Sequence, residues 1–345
     1  MRILSVAWEC PQEPYGGLGV FVSRLLPEMV ASGHEVVHYC MHGMLPPILP
    51  QDYSGVKVIR VHEPLLDPRG GVLSLTALAL SKAVFNLVPL FDAVVAHDVH
   101  TALVVVEASE MEIPSGYYVH MWSHSPIDIV GVASAKEVFA NSLFTAGWVK
   151  KYVNRRIHVV YPASPYPPVD SMPEKRNKNP VVVIPSRLQP NKSPEHVMKA
   201  LEKAHEDVGC DVVVFGRWAE HYKLPEWIVN KGTVSEEEKK KLYVMADLVL
   251  QVGFPEPFGL VALEAVALGT PVLVSEASGV AEVMPREAVY SLDNLADKLV
   301  ELLSSKNARE ELWFKERNSA IMKRTWRDVW VEIEREIIRH KNTGR

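Results

Sequence analysis

The sequence predicts an α/β chain of two doubly wound, Rossmann-like domains, and three features predict it. Short β-rich runs alternate with helical ones. Those runs are unbroken stretches rich in Val and Ile, without strict apolar–polar alternation. The rhythm then stops at a proline-rich segment and starts again. Unbroken apolar strands are covered on both faces, the condition of a parallel sheet held between helix layers. A length of 345 residues exceeds one ordinary core and suits two.

Taken in order, the strand "RILSVAW" passes into the helical run "VFVSRLLPEMVASG", and further strands follow at "HEVVHYC", "VKVIRVH", "DAVVAH", "SGYYVHM", "EVFANS" and "RIHVVYP". The most apolar stretch, "VLSLTALALSKAVFNLVPLFDAVVAH", is interrupted by Lys82, Asn86, Pro89 and Asp92. It reads as a buried helix running into a strand, not as a membrane span. Residues 161–180 carry six prolines in twenty positions and form a stiff, extended linker. The second half repeats the pattern with "VVVIPSRL", "PEHVMKALEKAHED", "CDVVVFG", "WIVNKGTV", "SEEEKKKLYVMA", "DLVLQV", "FGLVALEAVALG" and "TPVLVSE". Ser235 with Glu238 three residues on is a capping box that starts one helix.

The chain closes on a helix with the apolar stripe Trp326, Val329, Trp330, Ile333 and Ile337. The expected partition is residues 1–162, with the helix of about 326–345 packing back on them, and residues 163–325. Trp313, Trp326 and Trp330 are expected at exposed ends, available to an interface or a domain seam. Two such domains create a crevice at the carboxyl ends of both sheets, where open α/β sheets bind ligands.

Charged residues make up 23% and the apolar set 48%, an ordinary globular balance, and the net charge of −5 removes any general reason to expect nucleic acid. Cys10, Cys40 and Cys210 are far apart and form no CxxC, which argues against a disulfide framework or a zinc site and fits a reducing cytoplasm. The opening "MRILSVAW" is a strand too short for a signal peptide.

Three strand-to-helix turns carry chemistry. In "PYGGLGV", Gly16 and Gly17 precede a helix. They suit either a tight turn or the close approach of an anion to helix-terminal N–H groups. The spacing is neither GxGxxG nor GxxxxGK[ST], so a dinucleotide site and a P-loop are both disfavoured. In "PSRLQPNKSPEH", Arg187 and Lys192 leave the top of a strand and can converge on one diphosphate. In "GFPEPFGLVALEAVALGTPV", Pro257 suits the first turn of a helix and leaves Glu256 just outside it. Glu264 then lies about 12 Å further along the axis. One carboxylate is placed for the helix tip and the other for a group higher up, while the N–H groups of Phe258, Gly259 and Leu260 form the tip itself. A nucleoside diphosphate sugar has that layout. His97, Asp98 and His100 read as a strand end and helix cap rather than as metal ligands.

On these segments the chain resembles the retaining family-4 glycosyltransferases of the GT-B fold, nearest to the glycogen/starch synthase and trehalose synthase branch. The matching pieces are "WECPQEPYGGLGVFVSRL", "AHDVHTAL", "YYVHMWSH", "SRLQPNK", "KGTVSEEEKKKLYVMADLVL" and "EPFGLVALEAVALGTPVLVS", in the family's order over nearly the whole chain. The resemblance implies metal-independent transfer of a hexosyl group, glucose by branch, from a nucleotide sugar such as UDP-glucose or ADP-glucose to a sugar or glucan-type acceptor. It implies an acceptor-side first domain and a donor-binding second domain facing across a cleft. His120 matches the histidine beside the donor sugar, and Arg187 and Lys192 the pair that neutralises the leaving diphosphate. Glu256 and Glu264 match the E-x7-E pair on sugar hydroxyls and ribose. Gly16 and Gly17 match the loop at the diphosphate, and the backbone around Val234 contacts the base.

No DxD triplet occurs, so no metal clamp or other cofactor is expected. A front-face route is expected, in which the departing phosphate accepts the acceptor's proton. The chain departs from the family at Pro14 and Tyr15, which stand where "KT" precedes the glycines, and at the short "QVGFP". The rival readings are a nucleotide-sugar epimerase of the same fold and a non-catalytic sugar-nucleotide-binding protein. A weak peripheral membrane contact is suggested by Lys150, Lys151, Arg155 and Arg156 near Trp148 and Tyr152.

Overall fold

The strands expected in the first half form one sheet, because each is apolar enough to be covered on both faces. In a computed structural model the first half runs β1 (Arg2–Val6), α1 (Gly17–Ala31), β2 (Glu35–Cys40), β3 (Gln51–Tyr53), β4 (Val56–Arg60), α2 (Leu73–Val84), β5 (Ala93–His97), α3 (Ala102–Glu110), β6 (Ser115–Val119), α4 (Pro126–Ser134), β7 (Glu137–Ala140), α5 (Leu143–Lys150) and β8 (His158–Val159). The structure describes residues 1–14, 16–41, 51–61, 73–121, 125–175, 177–185, 194–216, 224–253 and 255–343. The strand order is β3-β4-β2-β1-β5-β6-β7-β8. All pairings are parallel except β3 against β4, an edge strand that the sequence pattern did not announce. Strand β1 pairs in parallel with both β2 and β5, so the order reverses beside it. That is the topological switch point, where such sheets hold ligands.

The second half runs β9 (Val181–Pro185), α6 (Pro194–Val208), β10 (Asp211–Phe215), β11 (Ile228–Asn230), α7 (Glu236–Met245), β12 (Leu248–Gln251), α8 (Leu260–Ala267), β13 (Val272–Ser275), β14 (Val289–Tyr290), α9 (Leu295–Ser304) and α10 (Lys306–Arg317). Its sheet is ordered β11-β10-β9-β12-β13-β14, all parallel, with the reversal beside β9. The Oγ of Ser235 accepts the Glu238 amide at 3.2 Å and starts α7 as the capping pattern requires. The chain separates into two compact units, residues 1–162 with 325–345 and residues 163–324.

The proline-rich segment belongs to the second unit from Ala163 onward. The Val169 amide donates to the Ala267 carbonyl at 2.9 Å, and a side chain at Gly269 would strike Pro173. The last helix, α11 (Trp326–Thr343), lies on the first unit. Trp326 meets Phe21 edge to face at 5.2 Å, His34 bonds Glu334 at 2.7 Å, and Ile337 leaves no room for a β-carbon at Gly116.

Two expectations are corrected. Cys10 and Cys40 form a disulfide. Their 30-residue separation hides that β1 and β2 are parallel neighbours, so chain just past one strand meets the end of the other, with Cα atoms 5.2 Å apart. The tryptophans are not exposed ends. Trp326 and Trp330 fill the α11 contact, and buried Trp313 donates its indole N–H to the Val266 carbonyl at 3.0 Å. Of the four cations near Trp148, Arg155 is held inward by the carbonyls of Val132, Ala133 and Lys136, leaving Lys150, Lys151 and Arg156 exposed. Among the described residues no helix is long and apolar enough to cross a membrane.

Candidate active site

In the first unit the expected residues converge at the carboxyl ends of β1, β5 and β6. Helix α1 begins at Gly17 with Gly16 as its extended N-cap. The cap is supplied from a distance: one oxygen of the buried Glu9 carboxylate accepts the amides of Gly16 at 2.7 Å and Gly19 at 2.9 Å. A β-carbon at Gly19 would lie 2.4 Å from that oxygen and 2.6 Å from Pro14 Cα, so glycine is required there by close approach. Glu9 therefore fills part of the anion-binding end that the glycine loop suggested. Among the described residues the amides of Gly17 and Leu18 make no hydrogen bond, and the positive end of the helix is open through them.

His120 follows β6 directly and is fixed on every side. Its amide and that of Met121 donate to Asp98 Oδ1 at 2.6 and 3.1 Å, and its carbonyl accepts Asn141 Nδ2 at 2.8 Å. Its ring stacks on Tyr118 at 4.5 Å and meets the edge of Phe21 at 4.5 Å. Its Nε2 lies 3.2 Å from Nδ1 of His97. Burial lowers the His120 pKa to about 3, so the ring is neutral at physiological pH. His97 is lowered well below the usual range, by burial first and then by His120 and His38. Asp98 sits at the strand end as expected, but its carboxylate caps the 120–121 amides and not its own short helix. Burial, followed by the charge of Asp128, raises its pKa well above the carboxylate range. His100 stacks on Trp8 at 5.3 Å.

In the second unit Glu256 is farther from its helix than the sequence pattern implied. Pro257 does not open α8. Gly259 adopts φ 101° and serves as N-cap, so the helix starts at Leu260. Glu256 instead forms a parallel bridge to Ser278, with its amide on the Ala277 carbonyl at 3.0 Å and its carbonyl accepting Gly279 N at 3.0 Å. Phe258 is buried, and its carbonyl accepts the Val280 amide at 2.8 Å. Gln251 braces this turn from the end of β12, accepting the Ser275 amide at 3.0 Å. The amides of Gly259, Leu260 and Val261 make no hydrogen bond among the described residues. They form an anion-accepting tip that no side chain at position 259 obstructs.

Glu264 is buried one turn into α8 and already held by two partners. Lys239 Nζ lies 3.0 Å from one carboxylate oxygen, and the Tyr243 hydroxyl donates to the other at 2.9 Å. Burial alone would pull the Lys239 ammonium down, but Glu264, Tyr166 and Glu236 together hold it above its ordinary value. Tyr166, from the proline-rich segment, donates to Glu236 and lies 5.5 Å beneath Lys239. A carboxylate with about four acceptor sites still has capacity for a hydroxyl. Val234 stands half-buried immediately before the α7 cap. Arg187 and Lys192 lie outside the described residues.

The sequence reading missed Glu9, Lys239, Tyr243 and Tyr166. Glu9 had no local signal, since its partners come seven and ten residues later. Lys239 and Tyr243 are spaced four apart on α7, a pattern that announced one helix face without naming what it meets.

Residues 15–163 match the family model described as Glycosyltransferase Family 4, and residues 170–318 match the one described as Glycosyl transferases group 1. The chain belongs to the family-4, group 1 glycosyltransferases. An uncharacterized glycosyltransferase of Methanocaldococcus jannaschii is 25% identical to this glycosyltransferase, with 96% of each chain covered. A glycogen synthase of Mycobacterium tuberculosis is 25% identical over 82% of this chain and 80% of its own. Sucrose-phosphate synthase from Thermosynechococcus elongatus superposes with a TM-score of 0.80 at 16% identity, covering 99% of this glycosyltransferase and 100% of that chain. The fold is that of the GT-B glycosyltransferases, built of two Rossmann-like domains.

Proposed function

We propose that this glycosyltransferase moves a hexosyl group, glucose, from a nucleoside-diphosphate sugar to a sugar or glucan-type acceptor, with retention of anomeric configuration and without a metal ion. The observation that carries the reading is the start of α8, where the amides of the left-handed Gly259 and of the two residues after it make no hydrogen bond among the described residues, and Glu256 is pinned four residues before the helix. Breaking a glycosyl–phosphate bond builds negative charge on the diphosphate, and preorganised N–H groups stabilise charge that develops in the transition state. In this reading Arg187 and Lys192 add two cations to those amides, so the leaving group needs no metal. Glu256 accepts sugar hydroxyls, Glu264 the ribose, and the backbone at Val234 the base. Gly16 and Gly17 let the diphosphate approach α1, where the amides of Gly17 and Leu18 make no hydrogen bond among the described residues.

On the front face, the bond between the anomeric carbon and phosphate oxygen breaks as the acceptor oxygen bonds that carbon from the same side. The departing phosphate oxygen takes the acceptor's proton. Glucose is favoured because a relative of similar length is named a glycogen synthase, and glycogen is a glucose polymer.

The test is release of nucleoside diphosphate from a panel of UDP-, ADP- and GDP-sugars, with and without simple sugar acceptors, in EDTA. Turnover with one donor, lost in Glu256→Ala and Lys192→Ala, is expected. Activity that disappears with EDTA and returns with a divalent ion would reject the metal-free mechanism. Failure of every nucleotide sugar to bind would reject the reading itself.

A further inference from the structure

His120 is held by four groups that set where its ring lies, and one that can set where its proton sits. Phe21 and Tyr118 pack its faces and edge, while Asp98 and Asn141 hold its backbone. None of these distinguishes one ring nitrogen from the other. His97 does, through the 3.2 Å contact between its Nδ1 and His120 Nε2. Among the described residues His120 Nδ1 makes no hydrogen bond, so it is the nitrogen left for a ligand.

Both rings are neutral, so one nitrogen of the contact donates and the other accepts. The far nitrogen of His97 decides which. Its Nε2 is buried and, among the described residues, has no hydrogen-bond partner. If His120 donated, His97 would carry its proton on that Nε2, burying an N–H with no acceptor, the rarer and costlier kind of orphan. If His97 donates from Nδ1, only a bare lone pair is left buried. His120 must then carry its own proton on Nδ1.

We propose that His97 is a positioning residue that fixes His120 as its Nδ1–H tautomer, so that His120 presents a hydrogen-bond donor to an oxygen of the donor sugar. This rests on the reading of His120 as the group beside that sugar. His97 touches no substrate in this account; it selects the proton position of the residue that does.

The experiment labels the full chain with ¹⁵N-histidine and reads the tautomer of His120 by two-bond proton–nitrogen correlation, its signals assigned by their loss in His120→Ala. Donor kcat/KM is measured on the same proteins. The wild type is expected to carry the His120 proton on Nδ1. In His97→Phe, which keeps a ring and removes both nitrogens, the two tautomers are expected to mix. Donor kcat/KM should then fall by about 10- to 100-fold, as when partners that orient a functional imidazole are removed. His97→Asn returns an amide N–H near the Nδ1 position and should recover both the tautomer and most of the activity. A wild-type proton on Nε2 overturns the proposal whether or not any variant folds. So does a folded His97→Phe with tautomer and kcat/KM unchanged. If instead His120→Ala keeps full kcat/KM while the wild-type spectrum shows Nδ1–H, the reading of His120 fails and the positioning role falls with it.

Discussion

Lys239 and Glu264 form an ion pair 3.0 Å long inside the second unit, with the lysine side chain 16% and the glutamate 5% exposed. Glu264 is the residue expected to bind the donor's ribose, so its position is set by this pair before any ligand arrives. Removing one charge strands the other in a poorly solvated place. Lys239→Met should therefore destabilise the protein by about 3–5 kcal/mol, and Lys239→Met with Glu264→Leu by clearly less. Urea unfolding of the four proteins in the cycle measures this, and a double-variant loss equal to the sum of the two single losses would show that the pair is not coupled.

The Glu9 carboxylate replaces a local cap at α1 and holds the glycine turn through two amides. Glu9→Ala orphans both N–H groups in a buried place and should cost about 1–3 kcal/mol. Glu9→Gln retains a side-chain oxygen to accept and should cost less. A Glu9→Ala protein as stable as wild type in urea would mean that the turn is held by something else.

Three buried histidines and the half-buried His100 give the first unit an acid-sensitive core. Burial lowers His38 to about 3, His100 to about 4 and His120 to about 3, and holds His97 well below the usual range. The sign follows from proton uptake. Below about pH 6.5 the unfolded chain binds protons at these rings and the folded chain does not, so their contribution is complete above 6.5 and is lost as pH falls toward 4. Asp98 and Glu316, both raised chiefly by burial, oppose this, because each holds its proton to higher pH in the fold than in the unfolded chain. Four histidines outweigh two carboxyls, and stability should fall from pH 7 to pH 5. His38→Gln should flatten the slope by about 1.4 kcal/mol per pH unit at most. Stability that rises toward pH 5 would contradict the assignment.

The Cys10–Cys40 bond closes a loop of 30 residues beside Glu9. Its loss frees the unfolded chain and should cost about 3–4 kcal/mol on the chain-entropy account. Thermal melting with and without dithiothreitol, alongside Cys10→Ala, is the check. Equal melting temperatures in both conditions would show that the bond is absent in solution or contributes nothing.

Much of the fold was legible because strand and helix periods are local. The runs "RILSVAW", "DAVVAH", "SGYYVHM", "DLVLQV" and "TPVLVSE" became the strands that end at Val6, His97, Val119, Gln251 and Ser275. The short β3 and β14 were not, since three or two residues carry little period of their own. At the site, Gly259 was recognised as part of a helix tip. Its left-handed φ, which moves the helix start past Pro257, is a backbone choice that Pro–Phe–Gly does not dictate by itself. The partners of Glu264 and of Gly16 were hidden for a different reason. Lys239 lies 25 positions before Glu264, and Glu9 reaches over a turn to its amides, so both contacts exist only once the sheet has brought its loops together. The disulfide escaped the same way, through strands that neighbour in space and not in sequence.

The central claim is transfer with retention, and proton NMR of the product tests it most directly. The chain is incubated in EDTA with an α-linked nucleotide sugar and a simple sugar acceptor, with Glu256→Ala as control, and the new anomeric proton is followed from the first turnover. The account predicts an α-anomeric signal that grows with nucleoside diphosphate and is missing in the variant. A β-anomeric product, or bound donor that yields only rearranged nucleotide sugar, would contradict it.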